Sequence, residues 1–272
     1  FGQPAPRHTL WEVSGERSTV YLLGSVHLLK KEHYPLPWAF DNAFSNSQIA
    51  VFETDLDEME RPELQQRLLD KARLPPGETL RQRLSPDTYA RFKKRLAAAG
   101  LPTDLFNHLK PSVAAKALAV TELRRLGFNS DYGVDRYYFY RAKQEGKSIQ
   151  VLETAEFQFE LLTGFSDAEG ELFVRTTLMD IEQTRTSFNE LLNAWSTGDT
   201  ERLRQLLSHS RRKAAVIHQR TVLDRNQKWL PALETLLQGN QNAIVIVGAG
   251  HLVGTGSLIE LLRQQGYRVQ QR

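Results

Sequence analysis

One pattern, written twice, limits what this chain can fold into: a short apolar run that stops at a glycine, with a histidine three residues later. Residues 244–256 read IVIVGAGHLVGTG, in which Ile244, Val245, Ile246 and Val247 are four consecutive β-branched residues before Gly248-Ala249-Gly250-His251. Such a run predicts a strand buried on both faces, as in a parallel sheet covered by helices. Near the other end, Val20-Tyr21-Leu22-Leu23 leads into Gly24-Ser25-Val26-His27. Glycine lets backbone approach a ligand closely, and open α/β sheets bind ligands in the crevice beyond the carboxyl ends of their strands.

A second matched pair lies between these two. Ile49-Ala50-Val51-Phe52 leads into Glu53-Thr54, and Ile149-Gln150-Val151-Leu152 into Glu153-Thr154. The order along the chain is therefore His27, Glu53, Glu153, His251, each at or just past the end of a hydrophobic run. If the four strands lie side by side and parallel, two imidazoles and two carboxylates converge on one rim, as divalent-metal binding or carboxylate-assisted hydrolysis requires. A carboxylate straight after a buried strand must be paired, metal-bound or open to a cleft. The plainer readings are histidines satisfied by backbone and, for Glu153, a neighbour of a helix N-cap at Thr154. His8, His33, His108, His209 and His218 lack this context and are treated as background.

A chain of 272 residues has room for a single domain over residues 1–272. The expected fold class is α/β: a central mixed, largely parallel sheet built from about 9–54, 147–154 and 243–272, flanked by helices. Helical insertions at about 60–146 and 166–238 form a cover. Lys and Arg number 35 against 32 Asp and Glu, a formal +3, too small an excess to predict nucleic acid or an anionic membrane as a partner. Cysteine is absent, which removes disulfides, thiolate zinc sites and cysteine nucleophiles. Any metal has to sit on His, carboxylate, backbone or water. No uncharged apolar run approaches the ~18 residues that predict a membrane span. The sequence begins at Phe1 rather than Met, and the expectation drawn is a signal peptide removed before Phe1 and a periplasmic or secreted protein, a trimmed chain being the other reading.

In chain order, residues 1–6 read as a loose lead-in, and 9–13 and 19–23 as a hairpin turning at Ser14-Gly15-Glu16-Arg17. A short helix over 38–46 precedes the Glu53 strand. Residues 61–127 are helical in pattern, with Ser85-Pro86 opening one helix that Gly100 closes, and Lys110-Pro111 opening another that Gly127 closes. The acidic Asp55, Asp57, Glu58 and Glu60 read as a solvated face rather than as ligands. Gly133-Val134-Asp135 starts an aromatic-rich helix ended by Gly146. Ser166-Asp167-Ala168-Glu169 and Ser257-Leu258-Ile259-Glu260 are capping boxes. Further helical stretches begin near Asp199 and at about Arg211, the latter running through Trp229 with Pro231 as a kink or break. Residues 267–269 close the chain as a last strand.

Gly248, Gly250 and Gly254 are spaced too widely for G-x-G-x-x-G, and no acidic residue can follow at the distance a dinucleotide site needs. A P-loop lysine, H-E-x-x-H and G-x-S-x-G are also absent from the sequence. Arg225-Asn226 sits on a helix with a mixed face. The plainer reading there is an Asp224–Lys228 pair at i,i+4; the sharper one has Arg225 reach the cleft to stabilise an oxyanion or orient Glu153.

Gly24-Ser25-Val26-His27, Phe52-Glu53, Gly133-Val134-Asp135, Val151-Leu152-Glu153-Thr154, Asp224-Arg225-Asn226 and Gly248-Ala249-Gly250-His251-Leu252, in this order, resemble the TraB/PrgY/GumN family, which includes the TIKI proteases. The resemblance covers nearly the whole chain and is greatest to the GumN-like bacterial branch. It implies a fold akin to the erythromycin esterase and ChaN-like proteins, with the paired Gly-x-x-His motifs and a glutamate forming the active site. For the TIKI members it implies metal-dependent peptide hydrolysis. The first expectation is therefore a metal-dependent hydrolase, a peptidase. His27, His251 and Glu53 would bind or surround a divalent ion such as Mn²⁺, Co²⁺ or Zn²⁺, Glu153 would be general base or a partner of the ligands, and Arg225 and Asn226 would stabilise developing charge. Two alternatives are a binding protein that sequesters a peptide or haem without chemistry, and an esterase-like hydrolase in which His and Glu activate water without metal.

Overall fold

The computed structural model describes residues 7–272 and, within them, every side chain except those of residues 183–187 and 209–213. The lead-in expected over 1–6 and the His209 side chain lie outside the described residues. Six strands form one sheet: β1 (Leu10–Ser14), β2 (Thr19–Ser25), β3 (Ile49–Phe52), β4 (Ser148–Val151), β5 (Ala243–Gly248) and β6 (Arg268–Gln271). Their order is β4-β3-β5-β2-β1-β6. The first four run parallel, while β1 pairs antiparallel with both β2 and β6, so the sheet is mixed and largely parallel, as expected.

The β-branched run occupies the centre of this sheet. Ile244, Val245 and Val247 are 0% exposed and Ile246 1%, each contributing roughly 1.5–3 kcal/mol by leaving water. Helices Trp38–Ser45, Val134–Gln144, Asp224–Gln238 and Leu258–Gln264 send their apolar residues into the same core. Register then sets the site. Ser25 lies opposite Gly248, Phe52 opposite Ile246, and Phe52 opposite Val151, so the four parallel strands finish at one level and the residues that follow share one rim.

A second apolar cluster lies among helices. Asp167–Ser196 packs with Pro86–Ala98 and Pro111–Arg125 around Phe92, Leu96, Leu118, Val174 and Leu178. Ser166 and Glu169 form the capping box that opens the long helix. Near its other end, Trp195 Nε1 donates to the Gly24 carbonyl at 2.7 Å, tying this layer to the end of β2. Among the described residues no helix is long and apolar enough to cross a membrane.

Four local expectations are corrected. Pro231 does not break its helix: Asp224–Gln238 runs through it. The bond that proline cannot donate costs ~3 kcal/mol, and the burial of Trp229, Leu230, Leu233 and Leu237 offsets it. The stretch expected from about Arg211 to Trp229 is interrupted at Ala214, whose backbone (φ −130, ψ 52) is not helical, and resumes as Ala215–His218, a π-helical turn over Gln219–Leu223, and then Asp224–Gln238. β4 is not a buried strand but an outer one, with Ser148, Gln150 and Val151 exposed. Finally, Ser257 caps its helix, but Glu260 reaches back to the Gly256 N–H rather than to that of Ser257.

Candidate active site

The four predicted residues leave the sheet just past its last ladder bonds. Leu152 N–H donates to the Phe52 carbonyl and Glu153 N–H to that of Glu53, both at 3.0 Å, which sets the two glutamates side by side. Glu53 is buried. Its Oε1 accepts the Gly248 N–H at 2.7 Å, and its Oε2 accepts Gln158 Nε2 at 3.0 Å and Arg225 Nη2 at 2.5 Å. Gln158 is one turn into helix Ala155–Thr163, which Thr154 caps as expected.

Arg225 joins the two carboxylates. Nη2 also donates to Glu153 Oε1 at 2.6 Å and Nε to Glu153 Oε2 at 3.2 Å, the forked geometry that guanidinium and carboxylate favour. Trp229 Nε1 adds a donor to Glu153 Oε2 at 3.2 Å, and its ring lies 4.5 Å from the guanidinium. Nη1 donates to the Thr221 carbonyl at 3.0 Å, inside the π-helical turn that precedes Arg225. Arg225 itself is buried against Glu153. Asp224 accepts from Gln219 Nε2 instead of pairing with Lys228, which lies 4.5 Å over the Phe157 ring.

His251 ends a single 3₁₀ turn after β5. Its Nδ1 donates to Asn226 Oδ1 at 2.7 Å, and Nε2 lies 3.1 Å from Arg225 Nη1. Arginine can only donate, so the network assigns the lone pair to Nε2. Asn226 is in turn fixed, its Nδ2 donating to the Gly256 carbonyl at 2.8 Å. The imidazole also rests against Trp229, ring centres 4.6 Å apart.

His27 is held from a different element. A Cβ on Gly133 would stand 2.6 Å from the His27 carbonyl oxygen, so only glycine permits this approach. The Val134 N–H then bonds the Val26 carbonyl at 3.1 Å. This contact brings Asp135 Oδ1 to 3.1 Å from His27 Nδ1, an ion pair rather than an aligned hydrogen bond. The Asp135 charge raises the His27 pKa to about 9 against the opposing effect of desolvation by the surrounding walls, although the ring itself is 57% exposed. Burial pushes Glu53 up, but His251, Arg225, His27 and the Gly248 N–H outweigh it and lower the pKa to about 2.

These groups surround one small space. A methyl group on Gly248 would lie 3.4 Å from Glu53 Oε1, 3.5 Å from His27 Nε2 and 3.7 Å from His251 Cδ2. Beside it, Ser25 Oγ and Thr54 Oγ1 are buried without a hydrogen-bond partner among the described residues. Among the described residues no three His, Asp or Glu side chains stand grouped at metal-ligand spacing, and Arg225 already engages His251 Nε2. In donor chemistry, imidazole nitrogen and carboxylate oxygen around a methyl-sized gap suit a borderline divalent ion, and Asp135 and Asn226 at the two Nδ1 atoms supply the outer support that metal-binding histidines use. The space opens into a cavity of about 1200 Å³ bounded by the rim and by helices Pro111–Arg125 and Asp167–Ser196.

Sequence reasoning assigned no role to Asp135, Gln158, Trp229 or Lys116. Asp135 carried a readable signal, a carboxylate two residues past a glycine, and Gln158 stands one turn after the Thr154 cap. Lys116 and Trp229 carried none, because only packing turns them inward.

A model of the TraB/PrgY/gumN family matches residues 9–271. YbaP of Escherichia coli K12, an uncharacterized protein, is 26% identical over 246 residues, covering 89% of this chain and 87% of YbaP. The metalloprotease TIKI2 of Danio rerio is 26% identical over 314 residues, covering 96% of this chain and 60% of TIKI2. For the metalloprotease TIKI1 of the same fish the figures are 23% over 319 residues, 96% and 62%. The chain thus spans less than two thirds of either TIKI protein. No solved structure matches it significantly.

Proposed function

The chain belongs to the TraB/PrgY/gumN family, and from that premise we propose that it is a metal-dependent hydrolase that cleaves peptide bonds at the rim of its sheet. The observation that carries the reading is the methyl-sized space beside Gly248, bordered by His27 Nε2, Glu53 Oε1 and the His251 ring. Its similarity to metalloproteases supports the same reading. His27, Glu53 and His251 would hold the ion, with Mn²⁺, Co²⁺ and Zn²⁺ all suited to such donors. A divalent ion bound there supplies a water acidic enough to attack a carbonyl at neutral pH, and polarises that carbonyl.

The remaining work falls to the chain's own groups. Asp135 and Asn226 hold the Nδ1 atoms of the two imidazoles; His27 then borders the space with Nε2, while His251 borders it with Cδ2 and has its Nε2 on Arg225. The Gly248 N–H and Gln158 orient Glu53 beside the space next to Gly248. Glu153, occupied by Arg225 and Trp229, is a positioning residue that anchors Arg225. Asn226, whose amide is engaged by His251 and Gly256, positions the histidine. Arg225, which donates to Glu53 Oε2, would stabilise negative charge that develops on a substrate bound beside it.

The test is metal content of the wild type and His251→Ala after exchange against Mn²⁺, Co²⁺ and Zn²⁺, with cleavage of a peptide library read by mass spectrometry with and without chelator. Near-stoichiometric metal lost in the variant, with chelator-sensitive cleavage, is expected. Metal-free wild type without cleavage overturns the reading. The Arg225 contact on His251 Nε2 favours one alternative, water activated by Glu53 without metal, whose mark is cleavage that survives the chelator.

A further inference from the structure

The cavity beside the rim contains a cation that no side chain answers. Lys116 lies on helix Pro111–Arg125 and lines the cavity with His27, Glu53 and Arg225. Its side chain is accessible, yet desolvation lowers its pKa, with Glu53 acting upward and Arg225 downward. Both hold because the space it reaches is the cavity itself, deep between helices and sheet. Neighbouring charges are matched: Arg225 with both glutamates, Asp135 with His27, Glu122 with Arg95 and Arg136 with Glu60. Asp180 and His218 on the same wall have interactions of their own. Among the described residues Lys116 makes no hydrogen bond or ion pair.

Two further donors point the same way. Ser25 Oγ and Thr54 Oγ1, on residues 3% and 5% exposed, belong to the lining next to His27 and Glu53 and have no hydrogen-bond partner among the described residues. Arg124, two turns beyond Lys116, adds positive charge to that helix's wall. Much of the remaining lining is apolar, including Leu123, Phe173, Ile181, Phe188 and Ile217. An unpaired ammonium in such surroundings is unfavourable until an anion joins it. At about 1200 Å³ the cavity is larger than the ~300–1,000 Å³ of ordinary small-molecule sites, room for several residues of extended peptide.

We propose that Lys116 is the specificity-determining residue of this cavity, pairing with the free C-terminal carboxylate of a short apolar peptide whose side chains lie against Leu123, Phe173 and Ile181. The proposal rests on the peptidase reading for the fate of that peptide. Because Lys116 is within electrostatic reach of Glu53, the carboxylate lies close to the bond to be cut, so cleavage is directed to the last residues of the peptide.

Binding is measured on metal-stripped protein, which keeps the test separate from turnover. The probe is an N-terminally labelled pentapeptide of leucine and phenylalanine, prepared as free acid and as C-terminal amide and followed by fluorescence anisotropy with wild type, Lys116→Met and Lys116→Arg. The free acid is expected to bind wild type at least tenfold more tightly than the amide. That ratio should fall to near one in Lys116→Met and persist in Lys116→Arg, which keeps the charge and guards against a change of shape. Equal binding of acid and amide to wild type, binding of neither, or an undiminished ratio in Lys116→Met overturns the assignment. Metal is then restored and the products are analysed by mass spectrometry: acid-selective binding without cleavage removes the hydrolase reading and leaves Lys116 in place.

Discussion

Replacing Arg225 with methionine is the sharpest probe of the rim, because it deletes the one guanidinium that joins Glu53 and Glu153 while keeping most of the side-chain volume. The native side chain makes two bonds to Glu153, one to Glu53, one to the Thr221 carbonyl and one to His251. Arg225 is 8% exposed and Glu53 9%, so the variant leaves two carboxylates buried without their cation. Removing one partner of a buried ion pair costs ~3–5 kcal/mol. A second route gives the same scale: Glu53 is lowered from 4.5 to about 2, worth about 3 kcal/mol at ~1.36 kcal/mol per unit, of which Arg225 supplies a share. The sign with pH follows. Glu53 in the wild type has a folded pKa below its unfolded value, so its contribution is full above about 4.5 and is lost as pH falls towards about 2. In Arg225→Met the guanidinium no longer opposes burial at Glu53, whose pKa rises relative to the wild type, so the penalty is full at neutral pH and shrinks as Glu53 protonates. Urea unfolding of metal-stripped proteins should therefore show a gap of ~3–5 kcal/mol at pH 7.5 that narrows clearly by pH 4.5. Adding Glu53→Gln and Glu153→Gln to the variant should recover much of the loss. A gap under ~1 kcal/mol, the value of an exposed pair, or a gap that ignores pH, would refute the argument.

Gly248→Ala should separate folding from function. Its φ of −50 suits alanine and the new methyl meets its neighbours at 3.4–3.7 Å, so stability should stay within ~0.5 kcal/mol while metal uptake and cleavage fall at least tenfold; full activity would mean the space is not the site. Asp135→Asn should bring the His27 pKa down from about 9 towards or below 6.5, followed by NMR titration of metal-free protein. The same pair stabilises the wild type fully below about 6.5 and loses its effect as pH rises through about 9, so the stability deficit of the variant should vanish by then; a His27 that still titrates near 9 contradicts the assignment to Asp135. Lys116→Met should be more stable than wild type at pH 7, since it removes an unanswered charge, and the advantage should shrink as pH climbs through and beyond 10.5, above which the lysine is neutral in both states. A variant less stable at pH 7, or a flat advantage, would show that Lys116 has a partner.

Much of the fold was legible because it depends on local pattern. The β-branched run 244–247 can satisfy its side chains only in the middle of a covered sheet, and it lies there at 0–1% exposure. Ser85, Thr154 and Ser166 cap the helices they were expected to open. Pro231 shows the limit of such reading, since local backbone chemistry left a kink or a break open and core burial kept the helix continuous. Glu153 shows another. Its strand was read as buried, whereas β4 is an outer strand and the carboxylate is enclosed by Arg225 and Trp229 from a helix far along the chain.

For this protein the sequence by itself determined the layered α/β architecture and the levels at which His27, Glu53, Glu153 and His251 leave their strands, because strand composition, glycine stops and helix caps act over a few residues. Only the tertiary structure decided what those residues face. The parallel register aligned four strand ends, the contact of Gly133 with the His27 backbone turned Asp135 onto the imidazole, and the helix after the π-helical turn brought Arg225 to Glu53 across 172 residues of chain. Among the described residues Lys116 was left without a hydrogen-bond or ion-pair partner beside them. The reason is physical: the energy of a charge depends on which other charges and how much water surround it, and that is set by packing between segments that no local pattern connects.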